Sequence, residues 1–448
     1  MKIKACSVVG LGKLGACMAA AIASKGFEVI GVDKNENFVK AFNQKRAPIF
    51  EPGLQNMLKK YGNRIRATSD YNDAVLNSDI TFIVVPTPSD HGGGFTLRYI
   101  FNAIKDIGPV LSKKASRHIV VITSTVLPGS VDFHIRPLIE KVSGKACGKR
   151  LGLCYNPEFI ALGSVIPNFL NPDFILIGES DKGTGLALEN FYKKVCDNKP
   201  CFARMNFVNA ELTKISVNSF VTTKITFANM LSEMAEKLPG GDVDIVTEAL
   251  GHDSRIGRRY LKGGLGYGGP CFPRDNAALA FVAKKLKVKA DISEATDLFN
   301  HRIVNKLFKI VKSKAKAAVT IGILGLSYKP LSNVIEESQA FLLAEKLIKA
   351  KAKVALYDPL AMDKLKNTFK EKAIYAKSAV DLIRSAQVIV IASPDPEFLK
   401  LKKTEFTISG QGRIIIDCWR ILRSYQLDKM HNIEYIPFGI GKKNGFNQ

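Results

Sequence analysis

Short apolar, β-prone segments alternate with helical stretches along the first part of the chain. The predicted strands are KIKACSVVG, FEVIGVD, SDITFIVVPTP, RHIVVITSTV and RLGLCYNPEF. LGKLGACMAAAIASKG, which lies between the first two, is rich in Ala and predicts a helix. Strands that alternate with helices are typical of a parallel sheet covered on both faces. We therefore expect a first domain over residues 1–200.

The pattern then becomes helical. The segment MNFVNAELTKISVNSFVTTKITFANMLSEMAEKL, residues 205–238, lacks Gly and Pro and keeps a helical apolar period. At about nine turns it is too long for one small domain and indicates a helix that joins two. GGDVDIVTEALG, NAALAFVAKKLKV and ISEATDLFNHRIVNKLFKIVKSK are further predicted helices. We expect a small helical middle domain over residues 201–312.

The last part of the chain repeats the order of predicted elements found in the first. VVGLG…FEVIGVD and GILGL…AKVALYD share the order strand, glycine-containing turn, helix, strand and acid. AQVIVIASPDP and GRIIIDCW are later strands. This internal repeat predicts a second domain over residues 313–448, with a degenerate phosphate loop. The predicted fold class is α/β: two Rossmann-like, doubly wound parallel-sheet domains joined by a long central helix and a small helical middle domain.

Composition is that of an ordinary globular protein. Of the 448 residues, 46% are apolar and 24% charged. No apolar run reaches the roughly 18–20 residues of a membrane span. The start, MKIKACSVVGLGKLG, lacks the apolar core and cleavage site of a signal peptide. We expect a cytoplasmic protein without a membrane partner.

The chain is strongly basic, with 65 Lys and Arg against 41 Asp and Glu and a formal net charge of +24. Such a charge attracts nucleotides, acidic metabolites or nucleic acid. The basic residues are spread along the chain, without a long basic tail or an interleaved aromatic motif. This distribution favours a lysine-rich surface that draws in anionic substrates over a nucleic-acid partner.

Eight cysteines are scattered along the chain, and no two have CxxC spacing, which argues against zinc and leads us to expect no metal. In a reducing compartment they are expected to be free thiols. Seven are most simply small apolar residues. Cys271 is the exception because of the residues that surround it.

The motif GLGKLG follows the first predicted strand and opens a helix. Its glycines permit a tight turn, a close approach to a pyrophosphate and close packing of helix on strand, in that order. Asp33 ends the second strand about 20 residues further on and predicts a hydrogen bond to a ribose 2′-OH, which favours NAD over NADP. The cofactor contacts predicted in the motif are Gly10, Gly12, Lys13, Leu14 and Gly15.

Hydroxyl groups follow two later strands of the first domain. Thr87 lies in VPTP, and Ser124 and Thr125 begin STVLPG. Cofactors bind at the carboxyl ends of such strands, so these hydroxyls are placed to meet a ligand, although each alone is more typical of a helix cap. Similarly, Glu158 of NPEF is open to a second interpretation, as a first-turn acid of a helix that begins at Pro157.

Lys214 and Asn218 stand one turn apart on an otherwise apolar face of the long predicted helix. A lysine buried there needs a partner, which points to function. The alternative, a lysine that extends to solvent beside a surface Asn, is equally compatible with the spacing.

GGLGYGGPCFPRD, residues 263–275, places five glycines and two prolines around Cys271. Glycines leave a flexible or closely approached backbone, suited to wrapping a phosphate or sugar. If Cys271 begins the helix PRDNAALAFVAKKL, the helix dipole lowers the pKa of its thiol. Asp275, one turn later on the same face, would then hold a lysine or a water near the sulfur. A thiolate, an acid and an NAD domain together predict covalent catalysis with hydride transfer.

These motifs, in this order, resemble the UDP-glucose/GDP-mannose 6-dehydrogenase family over nearly the whole chain. The matching segments are GLGKLG, VPTP, STVLPG, NPEF, ELTKISVNSF, GHDSRIGRRYLKGGLGYGGPCFPRD and ILGLSYKP. GGPCFPRD is more similar to the UDP-glucose and GDP-mannose branches than to the UDP-N-acetylmannosamine branch.

The resemblance implies a four-electron oxidation of a sugar 6-hydroxyl to a carboxylate, with two NAD⁺ reduced. Cys271 would form a thiohemiacetal and then a thioester, which water hydrolyses. Lys214 and Asn218 would stabilise oxyanions, Asp275 and Thr125 would position water or a proton, and Glu158 would act as a base.

The resemblance also implies a substrate site and a homodimer built around the long helix. Arg255 is expected to reach the site from a partner subunit, and Lys329 to come from the C-terminal domain. The nucleotide-sugar contacts implied in this way are Glu158, Phe159, Lys214, Asn218, Arg255, Tyr267, Gly268 and Lys329.

Three positions depart from the family pattern. Leu162 stands where many relatives have a second glutamate, Glu336 where they have arginine, and Phe38 where a basic residue follows the ribose acid. All three lie on the cofactor side in the family, where leucine forms no hydrogen bond and glutamate repels a pyrophosphate. Either other cations complete the NAD site, or a loop is shifted.

The predicted reaction is therefore UDP-glucose to UDP-glucuronate, in the supply of a surface polysaccharide. The alternatives are a GDP-mannose or UDP-N-acetylhexosamine 6-dehydrogenase, and a two-electron β-hydroxyacid dehydrogenase, which needs no cysteine. A non-catalytic nucleotide-sugar sensor or a nucleic-acid binder is disfavoured, because binding alone requires no thiolate.

Overall fold

A computed structural model describes residues 3–90, 92–315, 319–407 and 412–442, and the chain divides into two compact units, Met1–Ser216 and Val217–Gln448. From the sequence, three domains are expected, with boundaries near residues 200 and 312. Because the division into two units tests neither boundary, both stay predictions. Within the described ranges, no helix is long and apolar enough to cross a membrane.

An eight-stranded sheet with the order β3-β2-β1-β4-β5-β6-β7-β8 forms the centre of the first unit. All its neighbouring strands are parallel except β6 and β7, which run antiparallel. The strands are β1 Ala5–Val9, β2 Glu28–Val32, β3 Ile65–Thr68, β4 Ile80–Ile83, β5 His118–Ile122, β6 Leu151–Tyr155, β7 Phe174–Glu179 and β8 Cys201–Met205.

Helices connect these strands and bury apolar residues on both faces of the sheet. Along β1, Val8 belongs to one hydrophobic core and Val9 to the other, as the period of two in a strand requires. The helices are α1 Lys13–Ser24, α2 Glu36–Asn43, α3 Leu54–Tyr61, α4 Tyr71–Leu76, α5 Arg98–Lys113, α6 Arg136–Ser143, α7 Val165–Leu170 and α8 Lys182–Val195.

The long helix α9 runs from Phe207 to Lys237 without interruption. Its 31 residues correspond to a length of about 46 Å. The division between the two units falls within it, between Ser216 and Val217. This matches the long helix predicted for residues 205–238.

The second unit combines three further helices with a six-stranded parallel sheet of order β11-β10-β9-β12-β13-β14. The three helices are α10 Val243–His252, α11 Phe272–Lys285 and α12 Asp291–Lys314. The sheet and its helices are β9 Thr320–Leu324, α13 Gln339–Lys349, β10 Lys353–Tyr357, α14 Met362–Phe369, β11 Ile374–Tyr375, α15 Ala379–Ser385, β12 Val388–Ile391, β13 Arg413–Asp417 and β14 Ile433–Pro437.

The two sheets share one strand order. Counted from the first strand of each, the second sheet and the first six strands of the first sheet both read 3-2-1-4-5-6, which is the doubly wound arrangement of Rossmann domains. The predicted fold class, with its internal repeat and helical middle region, is therefore confirmed.

Candidate active site

The GLGKLG motif forms the turn between β1 and α1. A Cβ on Gly10 would lie 2.4 Å from the carbonyl oxygen of Val84, and one on Gly15 would lie 1.8 Å from that of Gly10. A Cβ on Gly12 would meet nothing within 4 Å. Packing of the chain therefore requires the first and third glycines, whereas the second faces open space at the start of α1. That arrangement fits the pyrophosphate of a dinucleotide.

The acids after the second strand of each sheet play matching roles. Asp33 accepts hydrogen bonds from the backbone N–H groups of Leu11, at 2.7 Å, and Asn35, at 2.8 Å. In the second unit, Asp358 accepts from Leu326 and Ser327, both at 2.8 Å. Each carboxylate thus ties its strand to the glycine-containing turn. The ribose contact of Asp33 stays a prediction.

The second phosphate loop is degenerate, as the sequence indicates. Gly325 follows β9 with a φ of +85°, much as Gly10 follows β1 with a φ of +99°. However, α13 begins only at Gln339, whereas α1 begins at Lys13. Lys13 and Leu14 form the first turn of their helix, a position that no residue near Gly325 shares.

Two of the three hydroxyls predicted at the strand ends, those of Ser124 and Thr87, bind backbone in the loops rather than a helix N-terminus. Ser124 Oγ donates to the carbonyl of Val85 at 2.6 Å and accepts from its N–H at 3.0 Å. Thr87 Oγ1 donates to the carbonyl of Thr125 at 2.7 Å. These bonds join the loops that follow β4 and β5. Contact of the three residues with a ligand stays a prediction.

Glu158 lies in an extended loop after β6. The next helix, α7, begins at Val165, so the alternative of a helix that begins at Pro157 is wrong. Although the residue retains some exposed surface, desolvation of its carboxyl raises the pKa of Glu158 to about 7; a hydrogen bond from Tyr192 and the charge of Lys214 oppose this shift. The Tyr192 hydroxyl donates to Glu158 Oε1 at 3.2 Å.

Lys214 is buried against the same loop, with only 5% of its surface exposed. Its Nζ donates to the carbonyl of Glu158 at 2.8 Å and lies 4.5 Å from the ring centroid of Phe159. A backbone carbonyl and the face of an aromatic ring both stabilise an ammonium group. The alternative of a lysine that extends to solvent is therefore wrong.

A buried carboxylate that the sequence motifs did not indicate lies one turn before Lys214. Glu211 accepts hydrogen bonds from the N–H groups of Gly129, at 2.6 Å, and Val131, at 2.7 Å, and it is fully buried. Burial raises the pKa of Glu211 to about 7. The first turns of α9 thus hold both the STVLPG and the NPEF loops. An acid on the same apolar helix face as Lys214 was the signal in the sequence.

Cys271 is the N-cap residue of α11, and its side chain is exposed. Its carbonyl accepts a hydrogen bond from the Asp275 N–H at 2.8 Å. This confirms the predicted position at the start of a helix. A residue at such a position lies at the positive end of the helix dipole.

Asp275 and Asn218 are in direct contact. Asp275 is completely buried, and its Oδ2 accepts a hydrogen bond from Asn218 Nδ2 at 2.6 Å. Its Oδ1 accepts from Nε and Nη2 of Arg274, both at 3.1 Å. These charge-assisted bonds stabilise a carboxylate one turn beyond the exposed sulfur.

The glycines before Cys271 are required by packing, so of the two predicted alternatives, a flexible or a closely approached backbone, the structure has the second. A Cβ on Gly268 would lie 2.3 Å from the Glu337 carbonyl oxygen, and one on Gly269 would lie 2.6 Å from the Tyr328 ring. At Gly264 it would lie 2.9 Å from the Trp419 ring. Gly263 and Gly266 are crowded in the same way, by Ala228, Ser232 and Val243 at Gly263 and by Asn300 and Gln339 at Gly266. Protein atoms already occupy the space that the missing side chains leave.

The predicted substrate contacts of the second unit fall into two groups. Tyr267 and Gly268 are buried in the glycine loop, and the Tyr267 hydroxyl is 3.5 Å from Asp297 Oδ1. Lys329 follows Tyr328, whose ring packs on Gly269, so the structure brings its loop to the glycine loop. Arg255 lies apart from these contacts, on the surface, where it pairs with Asp253 at 2.6 Å.

Two of the three departures from the family pattern are apolar residues that pack against one core. Phe38 and Leu162 are partly buried against the hydrophobic core between α1 and the first sheet. Glu336 is exposed in the second unit, and its backbone carbonyl accepts from the Gly269 N–H at 2.9 Å.

Four of the other seven cysteines fit the prediction of small apolar residues. Cys6, Cys17, Cys154 and Cys418 are buried. Cys147 and Cys196 are partly buried, and for Cys201 the prediction is wrong because it is exposed. Among the described residues, no group of three or more His, Cys, Asp or Glu side chains could hold a metal ion.

Three family models match consecutive parts of the chain. Residues 4–196 match the NAD binding domain of the UDP-glucose/GDP-mannose dehydrogenase family, residues 208–302 its central domain, and residues 322–424 its UDP binding domain. Together the three matches span most of the sequence.

Curated relatives and a solved structure agree with these matches. UDP-glucose 6-dehydrogenase AglM of Haloferax volcanii is 35% identical over 93% of this chain and 96% of its own. GDP-mannose 6-dehydrogenase of Pseudomonas aeruginosa is 36% identical over 79% of this chain and 80% of its own. A UDP-glucose dehydrogenase from Pyrobaculum islandicum is similar with a TM-score of 0.88 and 29% identity, over 98% of this chain and 97% of that one.

Proposed function

Because this chain belongs to the UDP-glucose/GDP-mannose dehydrogenase family, we propose that it oxidises the 6-hydroxyl of UDP-glucose to a carboxylate in two steps. The family and the NAD cofactor predicted from the sequence are confirmed, and the chain is an NAD-dependent dehydrogenase. One observation carries the proposal further than the family: the exposed Cys271 is the N-cap residue of α11, whose first turn holds a buried, hydrogen-bonded carboxylate.

NAD⁺ supplies the hydride acceptor in both oxidations when it is bound. Gly12 and the first turn of α1 would hold its pyrophosphate, and Asp33 its ribose. Overall, one primary alcohol, two NAD⁺ and one water give one carboxylic acid, two NADH and two protons. The protein must therefore retain an aldehyde between two hydride transfers.

Cys271 is the group that retains the aldehyde. Its sulfur adds to the aldehyde carbon, and the carbonyl oxygen takes a proton to give a thiohemiacetal. Loss of hydride and of that proton leaves a thioester. Water then attacks the thioester carbon, the carbon–sulfur bond breaks, and the thiol returns with the uronate released.

The polar and charged side chains have roles that fit these reaction steps. Lys214 and Asn218, one turn apart on α9, would stabilise the oxyanions of the alcohol, the thiohemiacetal and the hydrolysis step. Glu158, whose pKa is about 7, would accept a proton from the attacking water near neutral pH. Asp275 and Thr125 would position that water or hold a proton, as the family resemblance implies.

Substrate recognition is proposed for both units. Phe159 and Glu158 lie beside Lys214 in the first unit, and Tyr267, Gly268 and Lys329 lie in or next to the glycine loop in the second. Arg255 is exposed and pairs with the nearby Asp253, which is compatible with a reach into a partner subunit.

UDP-glucose is favoured over GDP-mannose by the match with the Haloferax volcanii relative, which spans more of both chains. The 36% identity to the GDP-mannose enzyme keeps GDP-mannose as the second candidate. NADH formation with UDP-glucose, GDP-mannose and UDP-N-acetylhexosamines distinguishes them. We expect the highest kcat/KM with UDP-glucose and two NADH per sugar. Faster turnover of GDP-mannose would correct the substrate, and no turnover of any nucleotide sugar would refute the function.

A homodimer through α9 completes the proposal. Four exposed apolar side chains of this helix recur along one stripe, because their spacings keep them within about a quarter of the helix circumference. The stripe consists of Phe220, Phe227, Met230 and Met234, which are 38–67% exposed in the single chain. Mass measurement in solution tests the dimer: Phe227→Lys should yield monomers, whereas Phe133→Lys, which changes an exposed residue elsewhere, should not.

The product would serve the synthesis of surface polysaccharides, which incorporate uronates. This role rests on the proposed substrate and is tested with it, since a chain that turns over no UDP-sugar supplies no UDP-uronate.

A further inference from the structure

The loop Gly263–Gly269 is held along its backbone by side chains from separate elements of the second unit. Asn229 of α9 reaches it with both ends of its amide. Asn229 Oδ1 accepts from the Gly264 N–H at 2.7 Å, and Asn229 Nδ2 donates to the Leu265 carbonyl at 3.2 Å. The Asn229 side chain therefore bonds to the loop much as a neighbouring strand would.

Three other elements bind the same loop. Arg420, which follows β13, donates from Nη2 to the Gly263 carbonyl at 2.6 Å. Asn300 of α12 donates to the Tyr267 carbonyl at 3.0 Å. The Gly269 N–H donates to the Glu336 carbonyl at 2.9 Å. The loop that carries the proposed substrate contacts and leads to Cys271 is thus hydrogen-bonded at five of its seven residues.

The glycines explain how these bonds are possible. Each of the five lets a helix, ring or carbonyl approach so closely that a Cβ would lie within 3.0 Å of it. A buried loop backbone must have its N–H and C=O groups satisfied, and here three side chains and the Glu336 carbonyl bind five of these groups. The loop is preorganised by its own fold before any ligand arrives.

We propose that Asn229 is a positioning residue for substrate recognition, acting through this loop on Tyr267 and Gly268. The inference rests on the proposed function. Asn229 is 2% exposed, and among the described residues both hydrogen bonds of its amide end on the loop. Arg420 is a less direct probe, because it also binds both carboxylate oxygens of Asp244 and the carbonyl of Phe438.

Removal of the Asn229 amide should raise KM for UDP-glucose but not KM for NAD⁺. Asn229→Ala leaves the buried Gly264 N–H and Leu265 carbonyl without these partners, and the loop then relaxes to satisfy them. We expect KM for UDP-glucose to rise about tenfold, which corresponds to about 1.4 kcal/mol. KM for NAD⁺ should stay within about twofold, because the NAD-binding motif belongs to the first unit. General destabilisation would instead reduce the active fraction and leave both KM values unchanged.

Asn43, an exposed asparagine of the first unit, provides a control for the loss of two amide–backbone bonds. Its amide forms the same pair of backbone bonds, donating to the Ala67 carbonyl at 2.9 Å and accepting from the Ala67 N–H at 2.8 Å. Asn43→Ala should leave KM for UDP-glucose unchanged. If Asn229→Ala does not fold, Asn229→Ser carries the test with the same expected direction.

Alkylation gives a readout that does not depend on turnover. Cys271 and Cys201 are both exposed, so iodoacetamide labelling of the two peptides by mass spectrometry contains its own reference. UDP-glucose should protect Cys271 but not Cys201, and about tenfold more should be needed in Asn229→Ala. Equal KM and protection in wild type and variant would overturn the inference. Absence of turnover and of protection in the wild type would instead refute the proposed function itself.

Discussion

The amide of Asn218 donates a 2.6 Å hydrogen bond to the carboxylate of Asp275, which has no exposed surface. A carboxylate buried this completely must be compensated, since an isolated charge in a protein interior is strongly unfavourable. Asn218 and Arg274 supply that compensation from two helices. The acid is therefore fixed one turn from Cys271 and remains in a defined orientation.

Asn218→Asp should show that the buried Asp275 carboxylate depends on the Asn218 amide. The substitution sets two carboxylates against each other, so one must take up a proton or the contact must break. We expect the free energy of unfolding to fall by roughly 3 kcal/mol at neutral pH, and by less near pH 5, where protonation is easier. Denaturant unfolding at the two pH values measures the difference. An equal loss at both would contradict the buried contact.

Glu158 should determine the acidic limb of the rate profile. Burial raises the pKa of Glu158 to about 7, so the carboxylate form that acts as a base accumulates only as pH rises through that value. We expect kcat to increase with pH and to level off above it. Glu158→Gln should lower kcat by about 100-fold or more and remove the limb.

Glu211 is the necessary comparison, because burial raises the pKa of Glu211 to about 7 as well. Its carboxylate holds the STVLPG loop through two backbone N–H groups, and we assign it no proton transfer with water. Glu211→Gln should therefore retain the acidic limb. Its disappearance in this variant, with an unchanged profile for Glu158→Gln, would exchange the two roles.

The glycines of GLGKLG should separate folding from cofactor binding. Gly15→Ala would place a Cβ 1.8 Å from a backbone oxygen, so we expect the free energy of unfolding to fall by about 3 kcal/mol or more. Gly12→Ala meets no protein atom within 4 Å. It should leave stability within about 0.5 kcal/mol and raise KM for NAD⁺ at least tenfold. An unchanged KM in Gly12→Ala would contradict the pyrophosphate site.

Features set by local sequence could be predicted well. The repeated order of strand, glycine turn, helix and acid indicated the two sheets, and Pro273 close to Cys271 marked the start of α11. Such features depend on neighbours within a turn or a strand, which the sequence displays directly.

Features set by contacts between residues far apart in the chain could not be predicted from the sequence. Glu211 meets Gly129 across 82 residues, and Gly264 is crowded by Trp419, which follows a strand far along the chain. From the sequence alone, the glycines before Cys271 indicated a flexible or closely approached backbone suited to wrapping a phosphate or sugar. Only the packed structure shows that helices and rings of the same chain pack against this backbone. Pro157 locally favours the start of a helix. The structure instead has a loop there, and Lys214 binds this loop through the Glu158 carbonyl.

The measurement closest to the central claim is the number of NADH formed per molecule of UDP-glucose, in the wild type and in Cys271→Ser. Cys201→Ser, which changes the other exposed thiol, is the control. We predict two NADH and a uronate for the wild type and for Cys201→Ser, and no more than one NADH with no uronate for Cys271→Ser. Two NADH and a uronate from Cys271→Ser would contradict covalent catalysis at this sulfur.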